Sequence, residues 1–222
     1  MSSKLSTFIC QNCGTETSQY FGKCLNCNSW NSIVEEIKSK RSKNQDLKNS
    51  KKSILFNEIS SKKILRFTSG FREFDRVLGG GIVPGSVILL GGEPGIGKST
   101  IVLQSAGKIS LNEKVLYVTA EESLEQVKIR WERLNQNSID LKIFAETNLS
   151  LIIEEIKRLN PSYAIIDSIQ AIHNHDMESS PGSVSQVRAC SSELQNLAKD
   201  NNIALLIIGH VTKDGALAGP KT

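Results

Sequence analysis

Eight residues, Gly92, Glu93, Pro94, Gly95, Ile96, Gly97, Lys98 and Ser99, constrain this chain more than any others. They match the spacing G-x-x-x-x-G-K-S, which works only between a buried strand and the helix that follows it. The apolar run Val87 to Leu90 stands before them, and Ile101 to Ile109 reads as a helix with Val102, Ala106 and Ile109 on one face. Glycines there let backbone N–H groups converge on phosphates without a side chain in the way. The helix N-terminus adds partial positive charge. Lys98 is expected to reach the β- and γ-phosphates of a nucleotide and Ser99 to ligate Mg²⁺, with Thr100 in the same binding set. The bland alternative is an ordinary glycine-rich turn.

The pattern after residue 63 alternates strand and helix. Strands are predicted at Val115 to Val118, Leu141 to Phe144, Tyr163 to Ile166 and Ile203 to Ile208. Between them lie helical stripes: Leu124, Val127, Trp131 and Leu134, opened by a Ser123/Gln126 capping box; Leu149, Ile152, Ile153, Ile156 and Leu159, ended by Pro161; and Val184, Val187, Leu194 and Leu197. This order predicts an α/β fold with a mostly parallel sheet and right-handed crossovers. Ligands of such sheets sit at the carboxyl ends of the strands, where the remaining candidates fall. Asp167 ends an apolar strand, which suits holding Mg²⁺ through its water shell; a helix cap is the competing role. Glu121 and Glu122 follow a strand, and either can orient the water that attacks ATP or simply favour a helix start. His210 follows the last strand as a candidate γ-phosphate sensor, although a single histidine is more often structural. His173 and His175 read as loop residues and do not make a metal site by themselves.

Four of the five cysteines crowd into the first 27 residues. Cys10-x2-Cys13 and Cys24-x2-Cys27 have the spacing of two knuckles closing one tetrahedral, structural zinc site, where unligated thiols are the alternative. Zinc can supply about 10–16 kcal/mol of folding free energy to so small a module. Cys190, alone in a helical pattern, reads as a buried apolar residue. Between Lys38 and Arg66 stand eight lysines and two arginines against Asp46 and Glu58, within a chain of net charge +4. That basic stretch suits either a polyanion contact or a solubilising linker. The expected organisation is a zinc module over 1–37, a basic flexible linker over 38–62 and an ATPase domain over 63–222. The polar start and the lack of a bilayer-length apolar run point to a cytoplasmic chain with no membrane partner.

Taken together, these motifs resemble the RadA/Sms family of RecA-related bacterial DNA repair ATPases. The resemblance starts at Cys10-Gln-Asn-Cys13-Gly14 and runs through Gly22-Lys23-Cys24 to Trp30-Asn31. It resumes at Thr68-Ser69-Gly70 and Phe74-Asp75-Arg76-Val77-Leu78-Gly79-Gly80-Gly81, ahead of the phosphate loop. Glu121-Glu122-Ser123, Asp167-Ser168-Ile169-Gln170, Pro181 to Arg188 and Gly209 to Lys213 extend it. It implies a RecA-like core that assembles into homo-oligomeric rings, DNA-dependent ATPase activity, and processing of branched recombination intermediates by branch migration. It also implies single-stranded or branched DNA and a recombinase as partners. By the same comparison Glu121 is the hydrolytic glutamate, with Lys98 beside it, and His210 occupies the nucleotide-sensing position. The segments 173–183 and 212–220 resemble DNA-facing loops.

Tyr20 stands where the family usually has Trp, and Leu25 where Pro is common, but the four ligands are intact. Family members continue beyond Thr222 through further strands, a Lys-Asn-Arg-Phe-Gly motif and a domain resembling Lon protease. The expected core is therefore carboxyl-terminally incomplete. Two other functions fit the same residues: a module that holds zinc, DNA and nucleotide without turnover, and a regulatory ATPase acting on proteins.

Overall fold

The computed structural model describes residues 6–37, 53, 55–58, 65–135 and 137–210. Nearly all of the basic stretch and the segment 212–220 lie outside the described residues. The amino-terminal part is an antiparallel sheet in the order β2–β1–β3, built from β1 (Ser6–Cys10), β2 (Glu16–Thr17) and β3 (Ile33–Ile37). Two similar turns leave it. Gly14 N–H donates to Cys10 O at 2.8 Å, and Asn28 N–H to Cys24 O at 3.0 Å. The residue after each second cysteine takes a positive φ, 72° at Gly14 and 59° at Asn28. Glycine and asparagine enter that region most readily.

The larger sheet has five parallel strands: β4 (Val87–Gly92), β5 (Val115–Thr119), β6 (Leu141–Ala145), β7 (Tyr163–Asp167) and β8 (Ala204–His210). Their order is β4–β8–β7–β5–β6. The helices are α1 (Arg72–Val77), α2 (Lys98–Ile109), α3 (Leu124–Arg133), α4 (Leu149–Leu159) and α5 (Val184–Asp200). Alternate strand residues feed two cores, as a parallel sheet covered on both faces requires. Leu116, Val118, Ala164, Ile166, Leu205 and Ile207 meet Ile152 and Ile156 of α4 and Cys190 and Leu194 of α5. Val115, Tyr117, Tyr163, Ile165, Leu206 and Ile208 meet Val102, Leu103 and Ala106 of α2 and Val127 of α3. The α/β, mostly parallel fold expected from the sequence is what forms, and Cys190 is a buried core residue.

Local signals decide the ends. The α3 capping box closes in both directions: Gln126 N–H donates to Ser123 Oγ at 3.3 Å, and Ser123 N–H to Gln126 Oε1 at 2.9 Å. Asn148 caps α4, and Asn160, in the left-handed region just before Pro161, ends it. Among the boundaries that differ from the hydrophobic pattern, two bear on the site. Helix α2 begins at Lys98 rather than Ile101, because its first turn is polar and carries no apolar stripe. Strand β8 runs on to His210, so that histidine belongs to the strand end instead of following it. Helix α5 also touches the amino-terminal sheet, with Val184 N–H donating to Gln11 O at 3.2 Å.

Candidate active site and metal centre

Strand register assembles the site. Gly92 at the end of β4 pairs with His210 at the end of β8, and Thr119 at the end of β5 pairs with Asp167 at the end of β7. Because β7 and β8 are neighbours, the phosphate loop, His210, Asp167 and Glu121 leave the sheet along one edge. It is the carboxyl edge, where open α/β sheets take ligands.

Residues 93–97 of the loop are exposed. Gly95 and Gly97 have φ of 80° and 98°, and a side-chain carbon on either would meet nothing within 4 Å. Backbone conformation therefore demands glycine there, while the space above the loop is free. Gly97 is the N-cap of α2 and no side chain caps the helix, so its first N–H groups lack an intrahelical acceptor. Bare amides beneath open space fit a phosphate chain. Lys98 is buried, and its ammonium donates to Gly92 O and Glu93 O, both at 2.8 Å. The charge rests on the loop's own carbonyls. Ser99 follows in the first turn of α2, half-buried.

Asp167 is only 8% exposed. Its Oδ2 accepts a hydrogen bond from the Tyr117 hydroxyl, and its backbone oxygen accepts from Ala120 N–H at 2.7 Å. Burial, followed by the nearby Asp167 charge, pushes the Tyr117 phenol well above 10, so it remains a donor. No hydrogen bond joins Ser99 to Asp167 among the described residues. The adjacent glutamates separate. Glu122 ion-pairs through Oε1 with Arg130 of α3. Glu121 Oε1 accepts from the Ser168 hydroxyl and lies 3.0 Å from His210 Nε2. Burial acts to raise the Glu121 pKa, but Ser168, His210 and the Lys98 charge outweigh it and hold the carboxyl below its ordinary value. Gln170 Nε2 donates to His210 O at 3.4 Å and ties the turn after β7 to the end of β8.

Of the candidates read from the sequence, the loop, Asp167, Glu121 and His210 come to one sheet edge; sequence reading assigns no role to Tyr117, Arg130 or Ser168. Tyr117 looks like any aromatic strand residue until register puts it beside Asp167. His173 and His175 face each other, Nε2 to Nε2 at 2.9 Å, and join no metal-binding group among the described residues.

In the amino-terminal sheet the ligand atoms of Cys10, Cys13, Cys24 and Cys27 all lie within 4.8 Å of one another. Cys10 Sγ is 3.6 Å from Cys27 Sγ, and Cys13 Sγ is 3.5 Å from Cys24 Sγ. Burial would raise the Cys13 pKa, but hydrogen bonds from the Thr15 hydroxyl and backbone dominate and pull that thiol down to about 6. Cys24 moves the other way, to about 11. The Cys27 amide favours its thiolate, but burial and the neighbouring thiols prevail. Four thiols this close do not ionise together without a cation among them, and soft sulfur donors in a closed set fit zinc.

The parallel sheet, the phosphate loop and the acidic strand ends define a P-loop ATPase fold. The chain belongs to the AAA domain family, which matches residues 58–216, and residues 8–35 match the rubredoxin metal binding domain. Among curated relatives, the DNA repair protein RadA of Streptococcus pyogenes serotype M6 is 47% identical over 224 residues, covering 100% of this chain and 49% of its own length. RadA of Bacillus subtilis is 42% identical over 228 residues, covering 100% of this chain and 50% of its own. RadA of Haemophilus influenzae is 47% identical over 223 residues, covering 97% and 49%. The resemblance to the RadA/Sms family is thereby borne out, and the chain spans about half the length of these relatives. A crystal structure of a KaiC-like protein from Pyrococcus horikoshii superposes with a TM-score of 0.57 over 70% of this chain and 75% of that one, at 20% identity. That likeness supports the fold. No helix among the described residues is long and apolar enough to cross a membrane.

Proposed function

We propose that this chain carries the nucleotide site of a DNA-dependent ATPase of recombinational repair, one that processes branched recombination intermediates by branch migration. The observation that carries this reading is the meeting of an uncapped phosphate loop, the Asp167 carboxylate and Glu121, held by Ser168 and His210, at one sheet edge. ATP supplies the phosphoanhydride bond, and Mg²⁺ neutralises phosphate charge.

The chain's own residues do the rest. Backbone N–H groups between Gly92 and Thr100, Pro94 having none to give, and the Lys98 ammonium would bind the phosphates; Ser99 and Asp167 would hold Mg²⁺. Glu121 orients the attacking water and takes its proton as the water displaces ADP from the γ-phosphoryl group, a role supported by its place at the sheet edge and by the engagement of Glu122 with Arg130. His210, in contact with Glu121 and paired in register with Gly92, links the loop to the end of β8 as a nucleotide sensor. The four cysteines hold a structural zinc. Beside a zinc module over 1–37, a basic linker over 38–62 brings positive charge toward single-stranded or branched DNA in the cytoplasm. The relatives' printed function supports DNA as partner; a ring of copies and a recombinase complete the proposal.

The test is phosphate release by the purified chain with and without single-stranded DNA, at several salt concentrations. Release that rises with DNA, and less so at high salt, is expected. Release indifferent to DNA contradicts the DNA-dependent reading.

A further inference from the structure

We propose that Tyr117 is a positioning residue for the magnesium site, its hydroxyl holding one oxygen of Asp167 so that the other serves the ion. The inference rests on the nucleotide-site reading above. Strand β5 lies beside β7, with Tyr117 opposite Ile165 and Thr119 opposite Asp167. Side chains two residues apart share a face, so Tyr117 lies on the Asp167 face one step further into the sheet, within reach of the carboxylate.

Packing alone does not call for the hydroxyl. The Tyr117 ring sits in the apolar core with Ile165, Leu206 and Val102, a place phenylalanine would fill. Tyr163, in the same core, has a buried hydroxyl with no partner among the described residues, so a pairing such as that of Tyr117 is not automatic. A buried hydroxyl stabilises only when it is bonded, and a bond to a carboxylate is among the stronger ones. Among the described residues Tyr117 is the side chain that donates to the Asp167 carboxylate. With Ala120 N–H bound to the Asp167 backbone oxygen, both the chain and the side chain of Asp167 are fastened to the end of β5.

One carboxylate oxygen is thus committed and the rotamer fixed. Without the hydroxyl, the buried oxygen loses its donor and the carboxylate turns between orientations. Removing such an outer partner typically weakens metal binding by about 10–100-fold. Binding of the phosphates to the loop does not pass through Asp167 and stays as it was.

The experiment uses the full chain and a fluorescent ADP analogue, titrated with Mg²⁺ in the wild type, Tyr117→Phe, Asp167→Asn and the double variant. Tyr117→Phe is expected to leave affinity in EDTA unchanged and to raise the Mg²⁺ midpoint by about tenfold or more. In the Asp167→Asn background the Tyr117→Phe change is expected to have no further effect. An unchanged midpoint, or an undiminished effect in the Asp167→Asn background, overturns the inference. A wild type that takes up no nucleotide refutes the site reading and this inference with it. Should Tyr117→Phe fail to fold, the wild type labelled with 3-fluorotyrosine decides. One of its three tyrosine signals must move with ADP and Mg²⁺ together but not with ADP alone; no such movement overturns the inference.

Discussion

At the carboxyl edge of the sheet, Glu122 gives its Oε1 to Arg130 while Glu121 faces Ser168 and His210. Replacing Glu121 by Gln is expected to slow phosphate release by about 100-fold or more while ATP binding persists. Glu122→Gln is expected to leave turnover near wild type and to cost about 1 kcal/mol or less, as for other partly exposed ion pairs. Steady-state kinetics and chemical denaturation separate the two outcomes. The same contacts set a pH dependence. The folded Glu121 pKa lies below the ordinary 4.5, so its bonds contribute stability that is full above 4.5 and lost as pH falls through the folded value. Glu121→Gln should therefore flatten part of the acid-side loss of stability by lowering stability in the neutral range, where those bonds are intact, with little change in acid. Spacing alone left these two glutamates open. What separates them is Arg130, a helix away, and His210, which only the sheet brings close.

Elements hold the site through close approaches as well as periodicity. A side-chain carbon on Gly107, within α2, would lie 2.5 Å from Trp131 Cη2 of α3. In an open helix Gly→Ala stabilises by about 0.5–1 kcal/mol. Here overpacking wins, and Gly107→Ala is expected to destabilise by about 1–3 kcal/mol in denaturant titration. The amino-terminal sheet has a small core, Cys10, Cys24 and Ile33 with Phe8 and Cys13 against them, so its order is expected to depend on a metal held by the four cysteines. A chelator, or Cys10→Ser, is expected to release zinc and open residues 6–37 to proteolysis, while the cooperative unfolding of the parallel sheet remains. Caps and cysteine spacing announced themselves in the sequence because each is a local chemical need. The start of α2 did not, since its first turn serves the phosphate loop rather than the core. Gly107 gave no signal either, because its reason is a ring from another helix.

For the molecule as a whole, placing β8 between β4 and β7 is what gathers the candidate nucleotide-site residues from distant segments. Alternating strands and helices signalled a parallel sheet, but strand order, and with it the pairing of Gly92 with His210, came only from the fold. The chain spans about half the length of the relatives it matches, and the proposed nucleotide capture rests on the loop described here. The most direct measurement is calorimetric titration of ATP with Mg²⁺ into the chain and into Lys98→Ala. Saturable binding at one site is expected, weakened in the variant by about 2 kcal/mol or more. No binding by the folded wild type, or equal affinity in the variant, would contradict it.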